Sequence, residues 1–534
     1  MKRHPASLSF VATCTLPLVL ASAACGDSKF TDSEVPSATT EDAGAAAPVA
    51  ESDAATARPD AEVINGAPPG CDGTKLPTQD PCVVDDGLGV FVSIALGPPA
   101  GDGTKARPVN TIQKGIDLAK PNKKRVYVCA ETFTENLVLA DGVSLFGYFD
   151  CKNAWAVVPA KRAHLDGKTV GAPVVKATSL ATKVRIEGFD IVAPAGNAAA
   201  KNSLALLASS ATLDIVDSSL KASAAANGAN GTPAVQLSNG AGLNGDSHQG
   251  ASFCSPAANQ NVCRVLAFGG SGGTNTCVGA SGFAGLPGGH GGYGGKYTRS
   301  GSAISQVEAR EAGEGGTLGV AGADGPPGAA GANGASSQMG TFDANGFTPG
   351  NGGAGANGAP GFGGAGGSGR AVTLAETNTD GVWFGASGTG GGAGGCPGLA
   401  GTAGTGGGAS VAVVSWLSTL VLTKTTVVAG VGGAAGAGTF GSAPTLGGNF
   451  GPVVVVCFEC LAGKGGKGGE SGVSGHGAPG PSIGVAFKGT APQIDAATKT
   501  TVATAQLAQP IQTSGTKVIP ASGAGIAQAL YAIP

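Results

Sequence analysis

Asp166, Arg185, Glu187, Asp190, Asp214 and Asp217 are the first candidates for chemistry, because they recur along a run of short apolar stretches. Two carboxyl groups on one rigid face could hydrolyse a glycosidic bond. A basic residue beside Ca²⁺-binding carboxylates could instead drive elimination. The six residues form no lyase or glycosidase motif, and solvation of an outer face accounts for the same charges. Gly269-Gly270-Ser271-Gly272-Gly273 has the nucleophile-elbow pattern, but Gly272-Gly273-Thr274-Asn275 opens no helix. Gly167-Lys168-Thr169 has Arg162 where a phosphate loop needs its first Gly. His164, His248, His290 and His476 lack metal-ligand spacing. Cys457-Phe458-Glu459-Cys460 is a CxxC without a second half-site or a thioredoxin-like context, so a structural disulfide is expected there. Trp155, Trp383 and Trp416, the rings suited to stacking on a sugar, are scattered. No catalytic, cofactor or metal site is assigned on these grounds.

Whatever positions such residues is not a helical scaffold. Of 534 residues, 96 are Gly and 32 are Pro, and Gly costs about 1 kcal/mol per helical position relative to Ala. Only 13% are charged, which is unlike the charge-rich composition of disordered chains. Gly does not hold every third position throughout, which excludes collagen. A formal charge of −3 gives no electrostatic reason to expect nucleic acid.

The basic start Lys2-Arg3-His4, the apolar stretch 8–24 and Ser22-Ala23-Ala24 before Cys25 read as a secretory signal, residues 1–24. Its end resembles the lipobox of bacterial lipoproteins, which implies lipidation of Cys25 as the new N-terminus. Ser22 departs from the usual Leu, so ordinary signal cleavage stays open as the alternative. Gly26 lacks the Asp that retains such proteins at the inner membrane, which by the same resemblance implies the outer membrane or cell surface. Residues 25–70 read as an acidic spacer: eight acidic residues and Arg58 lie between Asp32 and Glu62.

Of the 12 Cys, removing Cys14 and Cys25 leaves 10, an even number that favours disulfides in an exported protein. Cys71 and Cys82 flank a turn-rich segment and are expected to pair. Cys129 and Cys151 bracket one strand–turn–strand passage and are expected to pair too. Cys254, Cys263, Cys277, Cys396, Cys457 and Cys460 remain, with 15 connectivities open.

One helix is expected over 108–121, with Asn110 as N-cap, Gln113 completing a capping box and Pro121 ending it. Ile112, Ile116 and Ala119 form its apolar stripe. Short strands follow at Val126-Tyr127-Val128-Cys129, Leu137-Val138-Leu139 and Val143-Ser144-Leu145, too closely spaced for crossover helices. Residues 203–232 align without a gap on 410–439, with Ser203/Ser410, Thr212/Thr419, Leu213/Leu420 and Ala222/Ala429 identical. A looser third copy begins at Ser482, where Thr498-Lys499-Thr500-Thr501-Val502 repeats Thr423-Lys424-Thr425-Thr426-Val427. Distant copies of such short strands imply stacked coils.

Residues 101–151, with Pro108-Val109-Asn110-Thr111-Ile112, Val126-Tyr127-Val128 and Gly142-Val143-Ser144-Leu145-Phe146-Gly147, resemble the N-terminal part of the pectin-lyase-like superfamily. The resemblance is closest to exported β-helix lipoproteins of unknown function that carry Gly-rich inserts. It covers 71–239 well and 410–507 weakly. It implies an all-β fold, a right-handed parallel β-helix with an N-terminal cap helix and Gly-rich loop insertions. Fold does not fix activity here.

The Gly-rich blocks are 269–408 and 463–477. Two triplet runs occur: Gly322, Gly325, Gly328, Gly331, Gly334, and Gly463, Gly466, Gly469, Gly472, Gly475. Surface loops with some packed extended stretches are expected, with Val372-Thr373-Leu374 and Val382-Trp383-Phe384 as a ladder rung inside the block. The expected organisation is 71–268 for cap and coils, 269–408 for the insert and 409–534 for C-terminal coils. Two functional expectations follow. One is a lipid-anchored structural or adhesive surface protein without catalytic activity, meeting the membrane and an envelope or extracellular polysaccharide or another surface protein. The other is a carbohydrate-binding or polysaccharide-degrading β-helix protein.

Overall fold

The structure, a computed structural model, describes residues 66–534 except 123, 238–241, 248, 255–267, 279–282, 373–378 and 455–456. Cys14, Cys25, the signal, most of the acidic spacer, His248 and Cys263 lie outside the described residues.

The chain is mainly β, and its long sheets are parallel and stacked, an arrangement consistent with a parallel β-helix. One sheet runs in the order Gly89–Val92, Arg125–Cys129, Leu145–Asp150, Val175–Glu187, Ser203–Val216, Ser410–Trp416, Ser482–Lys488 and Ala527–Ala532. A second runs Thr132–Thr134, Ala163–Asp166, Phe189–Ala193, Ser219–Ala222, Thr426–Ala429 and Lys499–Val502. Between the first and last strands, each pass of the chain contributes to both sheets, so apolar residues stack in columns. Phe133, Leu165, Ile191, Leu220 and Val427 form one column, pair by pair. Val175, Leu206, Val413 and Val485 form another. All are buried in one continuous core. The first column alternates with more exposed neighbours, whereas the last three strands of the second are buried there on both faces, with Leu204, Leu207, Val411, Val414, Ile483 and Ala486 forming a separate apolar cluster. Left-handed bends at Ser179, Ser210 and Leu417, then at Gly188, Asp217 and Lys424, turn successive passes at matching places.

Ser203 pairs with Ser410, Thr212 with Thr419 and Ser219 with Thr426, which is the register of the internal repeat. The third copy begins in register, with Ser410 on Ser482, and only its motif needs a correction: Thr426 pairs with Lys499, so the repeated Thr-Lys-Thr-Thr-Val motifs sit two residues out of phase. Asp495 and Thr498 accept the Lys424 and Thr425 N–H groups and set that corner. A slip of two keeps every side chain on its own face, and the alternation tolerates it.

The helix is Ile112–Ala119, and its Ile112, Gly115, Ile116 and Ala119 lie over Val92 and Val126 at the N-terminal end of the core. Its N-cap is Thr111 rather than Asn110, with the hydroxyl accepting from the Lys114 N–H. Gln113 does not close a capping box. Its amide oxygen accepts from the Val138 N–H, and the carboxylate of Glu135 takes the Ile112 and Gln113 N–H groups at 2.7 and 3.1 Å. Burial holds the Glu135 carboxyl above its ordinary range, outweighing those two hydrogen bonds. Pro121 sits in a 3-10 turn, Lys120–Asn122, that continues the helix.

Outside two hairpins, the strand Gly381–Phe384 and a few turns, the described residues of the Gly-rich blocks are not loops but extended segments with hydrogen bonds at every third residue, as three-residue-per-turn polyproline-II geometry allows when side chains are absent. Segment 385–408 is the axis. The N–H groups of Gly388, Thr389 and Gly390 donate to the carbonyls of Gly292, Cys460 and Asp246. Those of Gly391, Gly392 and Ala393 repeat the set on Gly289, Gly463 and Leu243. The carbonyls of Gly388, Thr389 and Gly390 accept from Gly270, Gly367 and Gly451, and those of the next triplet from Gly273, Gly364 and Gly448. All twelve bonds measure 2.8–3.1 Å. One segment thus has six neighbours, three receiving its donors and three filling its acceptors. Every polar backbone group in this buried stretch is satisfied without a sheet.

The two triplet runs share this lattice. Gly322, Gly325, Gly328, Gly331 and Gly334 donate to Leu461, Lys464, Lys467, Glu470 and Val473. Gly463, Gly466, Gly469, Gly472 and Gly475 donate to Ala365, Phe362, Ala359, Ala356 and Gly353. At the rim, Asn Oδ1 atoms replace a missing carbonyl: Asn227, Asn230, Asn357 and Asn351 accept from Ala434, Ala437, Ala400 and Gly406.

Segment 385–408 joins strand Gly381–Phe384 to strand Ser410–Trp416. At about 3.1 Å per residue it is roughly 70 Å long, so the bundle is an arm with the parallel sheets at its base. Strand Gly381–Phe384 is no rung of the parallel ladder. It is antiparallel to Ser252–Cys254 and Lys296–Ser300, and Ala303–Glu308 completes a four-stranded sheet at the far end. Val372 lies in the bundle segment that precedes it, and Thr373 and Leu374 fall outside the described residues.

Four disulfides join described residues to each other: Cys71–Cys82, Cys129–Cys151, Cys277–Cys396 and Cys457–Cys460. Cys254 is disulfide-bonded as well. Such use of Cys marks an oxidising, extracytoplasmic compartment. No helix among the described residues is long and apolar enough to cross a membrane.

His476 lies fully buried where the arm meets its base, and its Nδ1 accepts from the Gly438 N–H at 2.8 Å. Burial pushes its pKa below the ordinary value, and the Pro510 carbonyl offsets part of the shift. Protonation would place a second proton against the Gly438 N–H. A group with a lowered folded-state pKa binds its proton more readily in the unfolded chain, so stability falls as pH drops below about 6.5. Thermal melts between pH 8 and pH 5 should show this loss. His476→Asn, which keeps an acceptor but cannot titrate, should flatten it; an unchanged pH profile in the variant would refute the assignment.

Candidate functional site

Strands Val175–Glu187, Phe189–Ala193 and Ser203–Val216 carry most of the charged candidates outward. Their parallel registers bring together residues far apart in sequence, with Asp214 beside Arg185 and Asp190 beside His164. The charges then neutralise one another. Arg162 bridges Asp190 at 3.2 Å and Asp217 at 2.8 Å. Arg185 pairs with the buried Glu187 at 2.5 Å and reaches Asp214 at 4.0 Å, with Lys183 also on Asp214 at 3.3 Å. His164 Nε2 lies 3.1 Å from Asp166. Tyr148 covers Glu187, and burial together with that carboxylate raises the phenol's pKa far above its ordinary value. A hydrolytic pair needs one carboxyl to hold a proton and another free to attack or activate water. Here each of Glu187, Asp190, Asp214 and Asp217 has a cationic partner. The face can pair charges and stiffen neighbouring passes, and it offers no free acid–base couple.

The remaining candidates separate in space. Ser271 is an exposed residue of the bundle whose carbonyl accepts from Asp246, and no helix follows it. Thr169 and Lys168 present their N–H groups to the Asn136 side chain, not to an open anion site. His290 lies exposed in the arm, and His476 is buried at its base. No group of three or more metal-ligating side chains exists among the described residues. Cys457 and Cys460 are buried at the far end of the arm. Trp155 packs edge-on to Phe91 beneath the Cys129–Cys151 bridge, and Trp416 ends a strand at the base. Trp383 stacks on Phe253 at 4.8 Å in the far sheet.

That far sheet holds a site that the residue patterns above did not single out. A cavity of about 580 Å³ is lined by Phe268, Tyr293, Gly294, Glu308, Ala309, Glu311 and Phe384. Phe268 and Tyr293 are half exposed, with centroids 5.2 Å apart and planes tilted by 59°. Phe384 is buried below them. Lys296 approaches Glu308 at 3.7 Å from the neighbouring strand. The Glu311 backbone is tied to Tyr293 and Gly369, whereas its carboxylate makes no hydrogen bond or ion pair among the described residues. Arg310 and Arg370 turn to Glu459 at 3.3 and 4.0 Å. Ring faces and a free carboxylate at the end of a stiff arm can hold a small ligand with an apolar or cationic surface. A usable signal existed: Lys296-Tyr297-Thr298-Arg299-Ser300 and Ala303-Ile304-Ser305-Gln306-Val307-Glu308 interrupt the Gly-rich run with side chains that alternate as a hairpin does.

Set against known proteins, the chain matches no family model, no curated protein and no solved structure.

Proposed function

We propose that this chain is a lipid-anchored surface protein of adhesive or structural role, without catalytic activity. Its base is read as a right-handed parallel β-helix of the pectin-lyase-like kind with an N-terminal cap helix. One observation carries the reading: a hydrogen-bonded arm of roughly 70 Å sets an aromatic-lined cavity at the end remote from the stacked sheets. Catalysis has no use for such reach, whereas contact with a partner across a crowded envelope does. The acidic spacer at 25–70 adds distance from the membrane, and Cys25 would supply the anchor. The partner would be an envelope or extracellular polysaccharide or another surface protein. The paired charges on the sheet face weigh against a polysaccharide-cleaving site.

Cells producing the protein should incorporate labelled fatty acid into it and bind immobilised extracellular polysaccharide. Cys25→Ser should abolish labelling and release the protein from the membrane fraction. Replacing 296–308 with a short Gly-Ser turn should abolish cell binding and leave labelling intact. Soluble, unlabelled wild-type protein would refute the anchor. Turnover of any polysaccharide that disappears in Asp190→Asn or Asp214→Asn would instead establish an enzyme.

A further inference from the structure

The geometry points to the far-end cavity as a binding site for an amino sugar carrying a free ammonium group, which rests on the adhesive reading above. The described lining supplies three aromatic rings and two carboxylates, with no Lys or Arg among the described residues that form it. Ring faces attract cations, and the half-exposed rings of Phe268 and Tyr293 pack on each other at 5.2 Å and together line one side of the cavity. Glu311 is the stronger electrostatic handle, because its carboxylate is unpartnered among the described residues while Glu308 already faces Lys296. A divalent metal is a poor match, since hard cations need six or more oxygen ligands and two carboxylates cannot replace that shell. An organic ammonium keeps its apolar body against the rings and needs only one counter-charge. The Tyr293 hydroxyl, which makes no hydrogen bond among the described residues, can donate to and accept from sugar hydroxyls beside the ammonium. The cavity, at about 580 Å³, is of the size that small-ligand sites have. Backbone atoms fix the walls: Glu311 N–H donates to Tyr293, Gly369 N–H to Glu311, and Gly385 N–H to Gly295. The pocket is therefore preformed, and binding costs little ordering.

The test uses the full mature protein and isothermal titration calorimetry. The probes are a glucosamine tetramer, its fully N-acetylated counterpart, a lysine tetrapeptide and choline. The glucosamine tetramer should bind, and acetylation should weaken it at least about tenfold by removing the charge. Glu311→Gln and Tyr293→Ala should each cost about tenfold or more, and both should keep the wild-type melting temperature. Glu470→Gln, on a distant exposed ion pair, should bind as wild type. Equal binding of the acetylated tetramer, or unchanged affinity in Glu311→Gln, would overturn the proposal. Equal binding of the lysine peptide or choline would overturn the sugar assignment. If no probe binds while cells still adhere in the polysaccharide assay, this inference fails and the adhesive reading stands.

Discussion

Gly391→Val is expected to destroy the arm, with a destabilisation of at least about 4 kcal/mol. Gly391 sits on the axis segment. Its N–H donates to Gly289, its carbonyl accepts from Gly273, and the Gly364 carbonyl faces its Cα hydrogens. A Cβ there would lie 2.0 Å from the Gly364 oxygen, well inside contact. The obstacle is backbone, so no rotamer change relieves it. Moving the Gly364 segment away would break its bond to Gly392 and leave buried polar groups unpaired. Gly394, where a Cβ would meet the Gly361 oxygen at 1.9 Å, should behave alike. Ala330→Val tests the same fold without the clash, because Ala330 is exposed on the outer segment 322–334. Its melt should shift little. Limited proteolysis should cut Gly391→Val throughout 224–480 and spare the parallel sheets, while equal resistance of wild type and Gly391→Val would show that the lattice does not hold the arm.

Replacing both Cys277 and Cys396 with Ala should cost about 4–5 kcal/mol. This bridge links residues separated by 119 positions and ties an outer segment to the buried axis midway along the arm. In the chain-entropy account, the stabilisation grows with the logarithm of loop length. Cys457–Cys460, with a separation of 3, should contribute about a third as much when removed in the same way. Urea melts of the two double variants provide the check. A larger loss from the short bridge than from the long one would mean that native packing, not unfolded-state entropy, sets the value.

The stacked parallel strands were legible because their physics is local. Val126, Val128, Leu213, Ile215, Leu420 and Leu422 recur at every second position and face the core, and the 203–232 repeat encodes a register that the pairing follows. The third copy misled through identity: Thr498 and Asp495 fix the corner by taking the Thr425 and Lys424 N–H groups, so Thr498 faces Thr425 rather than its sequence match Thr423. The bundle was half legible. The runs at Gly322–Gly334 and Gly463–Gly475 show period three, but elsewhere the period is masked because three glycines in a row serve three neighbours at once, as at Gly390-Gly391-Gly392. Composition then reads as flexibility. Of the aromatic cavity only the hairpin 296–308 was legible, because Phe268, Tyr293, Glu311 and Phe384 come from four segments whose adjacency depends on that lattice.

The six-neighbour axis also fixes when the molecule can fold. The groups that satisfy Gly388 to Ala393 come from positions as early as Leu243 and as late as Gly463. No shorter piece of chain can close the shell, so the arm gains nothing from its early segments until the last has emerged. Pairing between such distant positions is slow, since loop closure is unfavourable before any contact rewards it. The helix and first parallel strands at 89–150 have local partners and can form while the rest is still being delivered. An exported chain of this design would thus cross its membrane with the Gly-rich portion unstructured and pliant. It would set into a stiff rod only once translocation is complete.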